Sequence, residues 1–250
     1  MRLFGLTVGH NEADRYLVSM LTHYQDIFDD HFFYDDRSTD ETAAIAHEFN
    51  CTTEIRPADY PSFIQNEGAF REMAWEAFER KVNPRPGDWV LINDCDEVLV
   101  SQYGTDAFTI RQIVERTILA AGTKVAINLN IPEVFGFDEE LAPLVRTDRL
   151  WGTIHAPRLF AYRPGGRYRH GEMGVPAVPS YVMAGPWFST DALALMHFGY
   201  ADKGDQEVKY ARYNGRTGHS NMHVESIAYE DKTLVGWDWP YPQMARSSWE

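Results

Sequence analysis

Cysteine is scarce: Cys51 and Cys95 are the only two in 250 residues. Two thiols cannot build a disulfide framework in a chain of this size, so the expected setting is a reducing cytoplasm. Long apolar runs are missing as well. No stretch approaches the ~18 residues that a membrane-spanning helix needs. The apolar opening, residues 3–8, meets His10, Asn11 and Glu12 too early for a signal peptide. Positive charge is also in short supply, with 23 basic against 37 acidic residues and a net charge of -14. That balance argues against extended binding to nucleic acid or to an anionic membrane surface. Internal repeats and low-complexity linkers are absent too. What remains is 44% apolar and 14% aromatic, the composition of an ordered globular chain long enough for one large α/β domain.

The first half alternates strand and helix patterns. Residues 3–8 form a compact apolar strand, and Tyr16, Leu17, Met20, Leu21 and Tyr24 then recur at helical spacing. Residues 31–34 are a second short strand ending in Asp35-Asp36. Ser38-Thr39-Asp40-Glu41 has the form of a capping box, opening a helix through Ile45, Ala46 and Phe49. A third strand (52–56), a helix around 70–78 and a continuous apolar strand at 89–92 follow. That last strand runs into Asn93-Asp94-Cys95-Asp96-Glu97. Residues 110–121 read as helix and 124–131 as strand. Beyond Pro132 the pattern weakens: 158–162 and 192–196 are strand-like, 205–213 is helical, and the aromatic, proline-rich tail has no period. The simplest organisation is one domain over 1–250, with residues 1–100 as one half and residues 101–250 as a second half with an irregular C-terminal part.

Such alternation implies a mostly parallel central sheet with helices on both faces. These sheets bind ligands at the carboxyl ends of their strands. Three loops fall at such ends: 9–12, 35–39 and 94–97. Asp94 and Asp96, one residue apart beyond a buried strand, can hold Mg2+ or Mn2+ while the ion bridges phosphate oxygens. A solvated acidic turn explains a lone Asp-x-Asp equally well. The pair Asp35-Asp36 at a second strand tip is what a simple turn leaves unexplained.

These segments resemble the family 2 glycosyltransferases of the GT-A fold. Residues 6–12, Leu-Thr-Val-Gly-His-Asn-Glu, resemble the family's first strand ending in Asn-Glu. Asp35-Asp36-Arg37-Ser38-Thr39-Asp40 resembles its Asp-Asp-Gly-Ser-Thr-Asp, with Arg37 in place of the usual Gly. Residues 89–98 resemble the strand leading to Asp-Ala-Asp-Glu, with Cys95 where Ala is commoner. Arg158-Leu159-Phe160 with His170-Gly171-Glu172, and His197-Phe198-Gly199-Tyr200 ahead of Lys209, resemble later segments of a bacterial subgroup that builds cell-surface glycans.

The resemblance implies a transferase that takes its sugar from a nucleotide-diphospho-sugar and passes it, with inversion, to a glycan or other hydroxyl acceptor. It places Val8, His10, Asn11 and Glu12 around the nucleotide, Asp36 at the base and Arg71 beside the nucleotide. Asp94 is placed at the ribose or the metal, Asp96 as principal ligand of Mn2+ or Mg2+, and His197 as a further ligand. Glu172 becomes the general base. Blander roles compete for several residues. His197 can be a structural histidine, His219 and His223 read as surface residues, and Glu133, Asp138, Glu139 and Glu140 read as an exposed acidic loop. Trp237 and Trp239 are expected to pack the tail onto the domain.

Two other functions use the same sequence. Asp94-Cys95-Asp96-Glu97-Val98 also fits the nucleophile motif of haloacid-dehalogenase-like phosphatases, and a non-catalytic sugar- or nucleotide-binding module could keep both acidic motifs. The phosphatase reading leaves Asp35-Asp36 unused.

Overall fold

The computed structural model describes residues 1–147, 154–169, 171, 174–213, 233–242 and 244. Its first half runs β1 (Leu3–Gly9), α1 (Leu17–Tyr24), β2 (Asp30–Asp35), α2 (Thr42–Glu48), β3 (Thr52–Ile55), α3 (Glu67–Val82) and β4 (Trp89–Asp94). Then come β5 (Glu97–Ser101), α4 (Ala107–Ala121), β6 (Ala126–Asn130), β7 (Val134–Phe137), β8 (Pro143–Arg146) and β9 (His155–Ala161). The chain continues through α5 (Ser180–Met183), β10 (Trp187–His197), α6 (Lys203–Tyr213) and β11 (Leu234–Gly236).

Eight strands form one sheet in the order β3-β2-β1-β4-β9-β6-β10-β5. β1 pairs in parallel with both β2 and β4, and β6 with β10, while β9 and β5 run against their neighbours. The sheet is therefore mostly parallel. The side-chain alternation of the strands divides the core in two. Leu3, Trp89 and Leu91 face one layer with α1 and α4; Phe4, Leu6, Val8, Val90 and Ile92 face α3, where Phe70, Trp75 and Phe78 fill the second. Both faces of β4 are thus dry, which is why it reads as an unbroken apolar run.

The long helices begin where short polar side chains capture their first amides. Asn66 accepts from Ala69 N at 3.0 Å, and Asp106 from Thr109 N at 2.9 Å. α3 ends at Asn83 in the left-handed region, φ 52°. α2 corrects the expected capping box. Ser38 does not cap it; Asp35 takes both the Ser38 amide (2.9 Å) and its hydroxyl. The N-cap position falls on Glu41, which makes no side-chain cap bond, and Asp40 just ahead of it accepts from Thr42 N at 3.0 Å and Thr42 Oγ1 at 2.6 Å.

The second half carries more regular structure than its sequence pattern suggests. β7, β8 and β11 form a separate three-stranded sheet. Trp237 and Trp239 lie 5.1 Å apart, centroid to centroid, and pack against the main core, as expected of an anchored tail. Glu133 does not belong to an exposed loop: it is 4% exposed, just ahead of β7, whereas Asp138, Glu139 and Glu140 are exposed as expected. His219 and His223 lie outside the described residues. Among the described residues no helix is long and apolar enough to cross a membrane.

Candidate functional site

From β1 the chain winds outward through β2 to β3, then returns to place β4 on the other side of β1. The order reverses between β1 and β4, and a crevice opens outside strand ends at such a point. Register sets Val8 opposite Asp94 there, and Gly9 opposite Asp35 on the other flank. The three loops singled out by the sequence therefore share one rim.

On the β2 side the loops are laced together. Asn11 and Arg37 both sit at positive φ, 55° and 58°. The Arg37 position has the backbone that glycine adopts without strain, so the turn keeps its shape although the glycine is gone. Asn11 Oδ1 accepts from Thr39 N at 2.8 Å, Asn11 N donates to Ser38 Oγ at 2.9 Å, and Glu12 N donates to Thr42 Oγ1 at 2.7 Å. His10 is exposed, and its Nδ1 lies 2.9 Å from the Asp36 carbonyl oxygen.

Asp36 is buried, with one oxygen paired to Arg56 and the other accepting from Phe63 N at 2.9 Å. The Phe63 ring in turn lies 5.2 Å from the guanidinium of Arg71. Arg71 is buried and paired with Glu67 at 2.8 Å. Burial disfavours its charge, but Glu67 and then Asp94 more than offset that and push its pKa up. Asp36, Phe63 and Arg71 thus form one linked wall, with Arg71 within electrostatic reach of Asp94. Arg56, Phe63 and Glu67 carried no motif in the sequence.

On the other side, β4 turns through Cys95 and Asp96 into β5. The turn is fixed by Glu97, whose Oε2 accepts from Asp94 N at 2.9 Å and whose Oε1 pairs with Arg158 at 3.0 Å. Burial pushes the Glu97 carboxyl up despite Arg158. Antiparallel pairing of β5 with β10 sets Glu97 opposite His197, and Phe198 N donates to the Asp96 carbonyl at 2.7 Å. This places His197 Nε2 3.4 Å from Asp96 Oδ1. The other ring nitrogen, Nδ1, lies 2.5 Å from Glu133 Oε2, since Glu133 bridges to His197 along the end of β10.

Lys209, on α6, brings its ammonium 3.5 Å from Asp96 Oδ2 and 3.1 Å from His197 Nε2, and Arg15 stands 3.9 Å from Oδ2. Burial alone would raise the pKa of Asp96, but Lys209, His197 and Arg15 hold its carboxyl well below the usual range. Burial also opposes the charge on His197, yet Glu133 and Asp96 prevail over it and over Lys209, lifting its pKa to about 10, so an ion taking Nε2 as a ligand would displace a proton from the ring. Glu133 went unrecognised because the acidic residues after it suggested a solvated loop. Lys209 was visible only as part of a motif.

Glu172 and His170 lie outside the described residues. Their neighbours are docked on the N-terminus of α3: Gly68 N donates to the Gly171 carbonyl at 3.1 Å, and Gly174 N to Glu67 Oε2 at 2.7 Å.

The donor atoms decide how well a divalent cation fits. Among the described residues no three His, Cys, Asp or Glu side chains converge as a ready-made metal cluster. Asp94, Asp96 and His197 therefore do not form the three-ligand set expected of them. Asp96 and His197 do converge, and their 3.4 Å separation suits two ligands on one ion with bonds of about 2.0–2.2 Å. Mg2+ and similar ions are commonly held by one or two protein donors, with substrate phosphates and water completing the shell. Glu133 stands behind His197 as a buried charge partner, in the position from which a carboxylate could orient a ligating imidazole. Two protein donors with a diphosphate fit such an ion; three protein donors are not assembled.

No family model and no curated protein matches the chain. Solved structures do. The Staphylococcus aureus TarS fragment 1–349 in complex with UDP-GlcNAc superposes with a TM-score of 0.52 at 14% identity, covering 91% of this chain and 71% of that one. The same fragment with UDP gives 0.49 at 14% identity, covering 91% and 70%. Glucosyl-3-phosphoglycerate synthase from Mycobacterium tuberculosis, with Mn2+, UDP and glucosyl-3-phosphoglycerate, gives 0.34 at 15% identity over 56% and 47% of the two chains, too low to carry weight. The fold is GT-A-like.

Proposed function

We propose that this chain is a glycosyltransferase that moves a sugar from a nucleotide-diphosphate donor to an acceptor hydroxyl, with Mn2+ or Mg2+ held at Asp96 and His197. The observation that carries this reading is the register setting Val8 opposite Asp94 at the β1/β4 crevice. It puts the Asp36–Phe63–Arg71 wall on one side of the crevice and the Asp96–His197 pair on the other. A nucleoside suits the first and its diphosphate the second. The likeness to TarS, crystallised with UDP-GlcNAc, supports a nucleotide-sugar donor.

In this reading Asp36 and the loop 8–12 orient the nucleoside, and Arg71 carries charge towards the donor phosphates. Asp94 stands at the ribose and Asp96 with His197 holds the ion. When bound, the ion stabilises the charge that develops on the departing diphosphate. Glu172 takes the proton of the acceptor hydroxyl, giving single displacement with inversion.

The test is release of nucleoside diphosphate from a panel of UDP-, GDP-, CDP- and dTDP-sugars, with Mn2+ and mixed glycan acceptors. Turnover of one donor, abolished by chelation and restored by Mn2+, is expected. A binding module would be stabilised by a nucleotide sugar and release nothing. A phosphatase would instead prefer simple phosphomonoesters. Either result overturns the reading.

A further inference from the structure

We infer that the ammonium of Lys209 occupies the place of the divalent cation, so that Lys209 and a metal ion compete for Asp96 and His197. This rests on the metal-dependent reading above. The ammonium lies 3.1 Å from His197 Nε2 and 3.5 Å from Asp96 Oδ2, with the face of Tyr200 4.4 Å away. Room for it exists because residue 199 is glycine. A Cβ there would stand 1.9 Å from the Lys209 nitrogen, 2.5 Å from His197 Nε2 and 2.6 Å from Asp96 Oδ2. The end of β10 is therefore shaped around one cation, and α6 supplies it from within the chain. Gln206, also on α6, donates to the Tyr200 carbonyl at 2.7 Å and holds that helix over the site.

Arg15 is not the competitor. Its Nη1 is bonded to both Glu12 oxygens at 3.1 and 3.0 Å, and its Nη2 is paired with Asp205 at 3.1 Å. An ion bound to Asp96 and His197 would meet the Lys209 ammonium as a like charge at close range, in a part-buried setting where such repulsion is strong. The ammonium must withdraw, and a donor diphosphate offers it new acceptors, since lysine binds phosphate as a point charge. Without a donor, Lys209 joins His197 and Arg15 in offsetting the charge of the buried Asp96 carboxylate.

The competition is tested without turnover, by titrating Mn2+ alone into the full chain and reading free Mn2+ by electron paramagnetic resonance. Lys209→Met should bind Mn2+ about tenfold or more tightly than the parent, because it removes the resident cation. Lys209→Arg keeps the charge and should stay within a few-fold of the parent. Lys209→Gln replaces the methionine variant if that one fails to melt cooperatively. Equal or weaker Mn2+ binding by the neutral variant overturns the competition and leaves the metal-dependent reading standing. Absence of Mn2+ binding in every variant, alone and with added UDP, overturns the metal site and the competition together.

Discussion

Asp36 has both carboxylate oxygens engaged, one by Arg56 and one by the Phe63 amide. A position at a strand tip suggests a residue that can be removed without harm to the fold, but the pairing says otherwise. Asp36→Ala leaves the buried Arg56 guanidinium with only the Pro57 and Tyr60 carbonyls as acceptors and no countercharge, and breaking such a pair costs about 3–5 kcal/mol. Urea denaturation should show that loss, along with weaker donor binding; a stability change below 1 kcal/mol would show that Arg56 finds another partner. Glu133 makes the complementary case on the metal side. Glu133→Gln removes the carboxylate behind His197 while nearly preserving its shape. Mn2+ affinity should fall by about 10- to 100-fold, the usual effect of losing a carboxylate that orients a ligand. Calorimetric titration with Mn2+ and UDP checks this, and an unchanged affinity would reduce His197 to a structural residue.

The strands and helices explain which parts of this arrangement the sequence could disclose. β1, β2 and β4 were legible because burial on both faces leaves continuous apolar runs that end abruptly in polar loops. β5 was hidden because it starts at Glu97, inside the acidic motif itself. β7 and β8 are four residues each, too short for a period to register. Glu133 was misjudged for a related reason: its burial follows from its pairing with His197, in a segment distant in the chain, which local composition does not encode. The loop between β2 and α2 repeats the lesson, since Ser38 and Asp40 both offer capping chemistry and only the Asp35 contact decides between them. Asp40 also accepts from Ala13 N at 3.2 Å and so ties the loop after β1 to the start of α2. Burial opposes its charge, but the bonds from Thr42 and Ala13 together outweigh it and lower its pKa below the ordinary value. A carboxyl depressed in the folded state adds stability above its unfolded pKa, and that contribution disappears as pH falls through the folded value. Asp40→Ala should therefore cost about 1 kcal/mol at neutral pH, with the difference from the parent closing in acid below about pH 4. Paired thermal melts across pH 2–7 measure it, and a pH-independent difference would remove the charge from the account.

The site draws on the entire chain. Glu97 from the first hundred residues is paired with Arg158, Asp96 meets His197 and Lys209, and Gly171 and Gly174 rest on α3 through Gly68 and Glu67. A donor bound across the crevice would grip strands from both halves of the sheet and stabilise them together. At a concentration of about 100 times Kd a ligand adds roughly 2.7 kcal/mol to the native state. For a chain of this length each kcal/mol shifts Tm by about 2–4 °C, so the correct nucleotide sugar with Mn2+ should raise it by about 5–11 °C. Chelation should remove most of that gain by taking away the divalent charge that offsets the diphosphate. This measurement separates binding from chemistry, which allows Glu172 to be tried as the base. Glu172→Gln should keep the Tm gain in full while lowering sugar transfer by about 10²–10⁴-fold, because a neutral amide cannot accept the acceptor's proton. Transfer within a few-fold of the parent would exclude Glu172. Asp138, exposed between β7 and β8, is then the carboxylate to replace next, with the same pair of readouts.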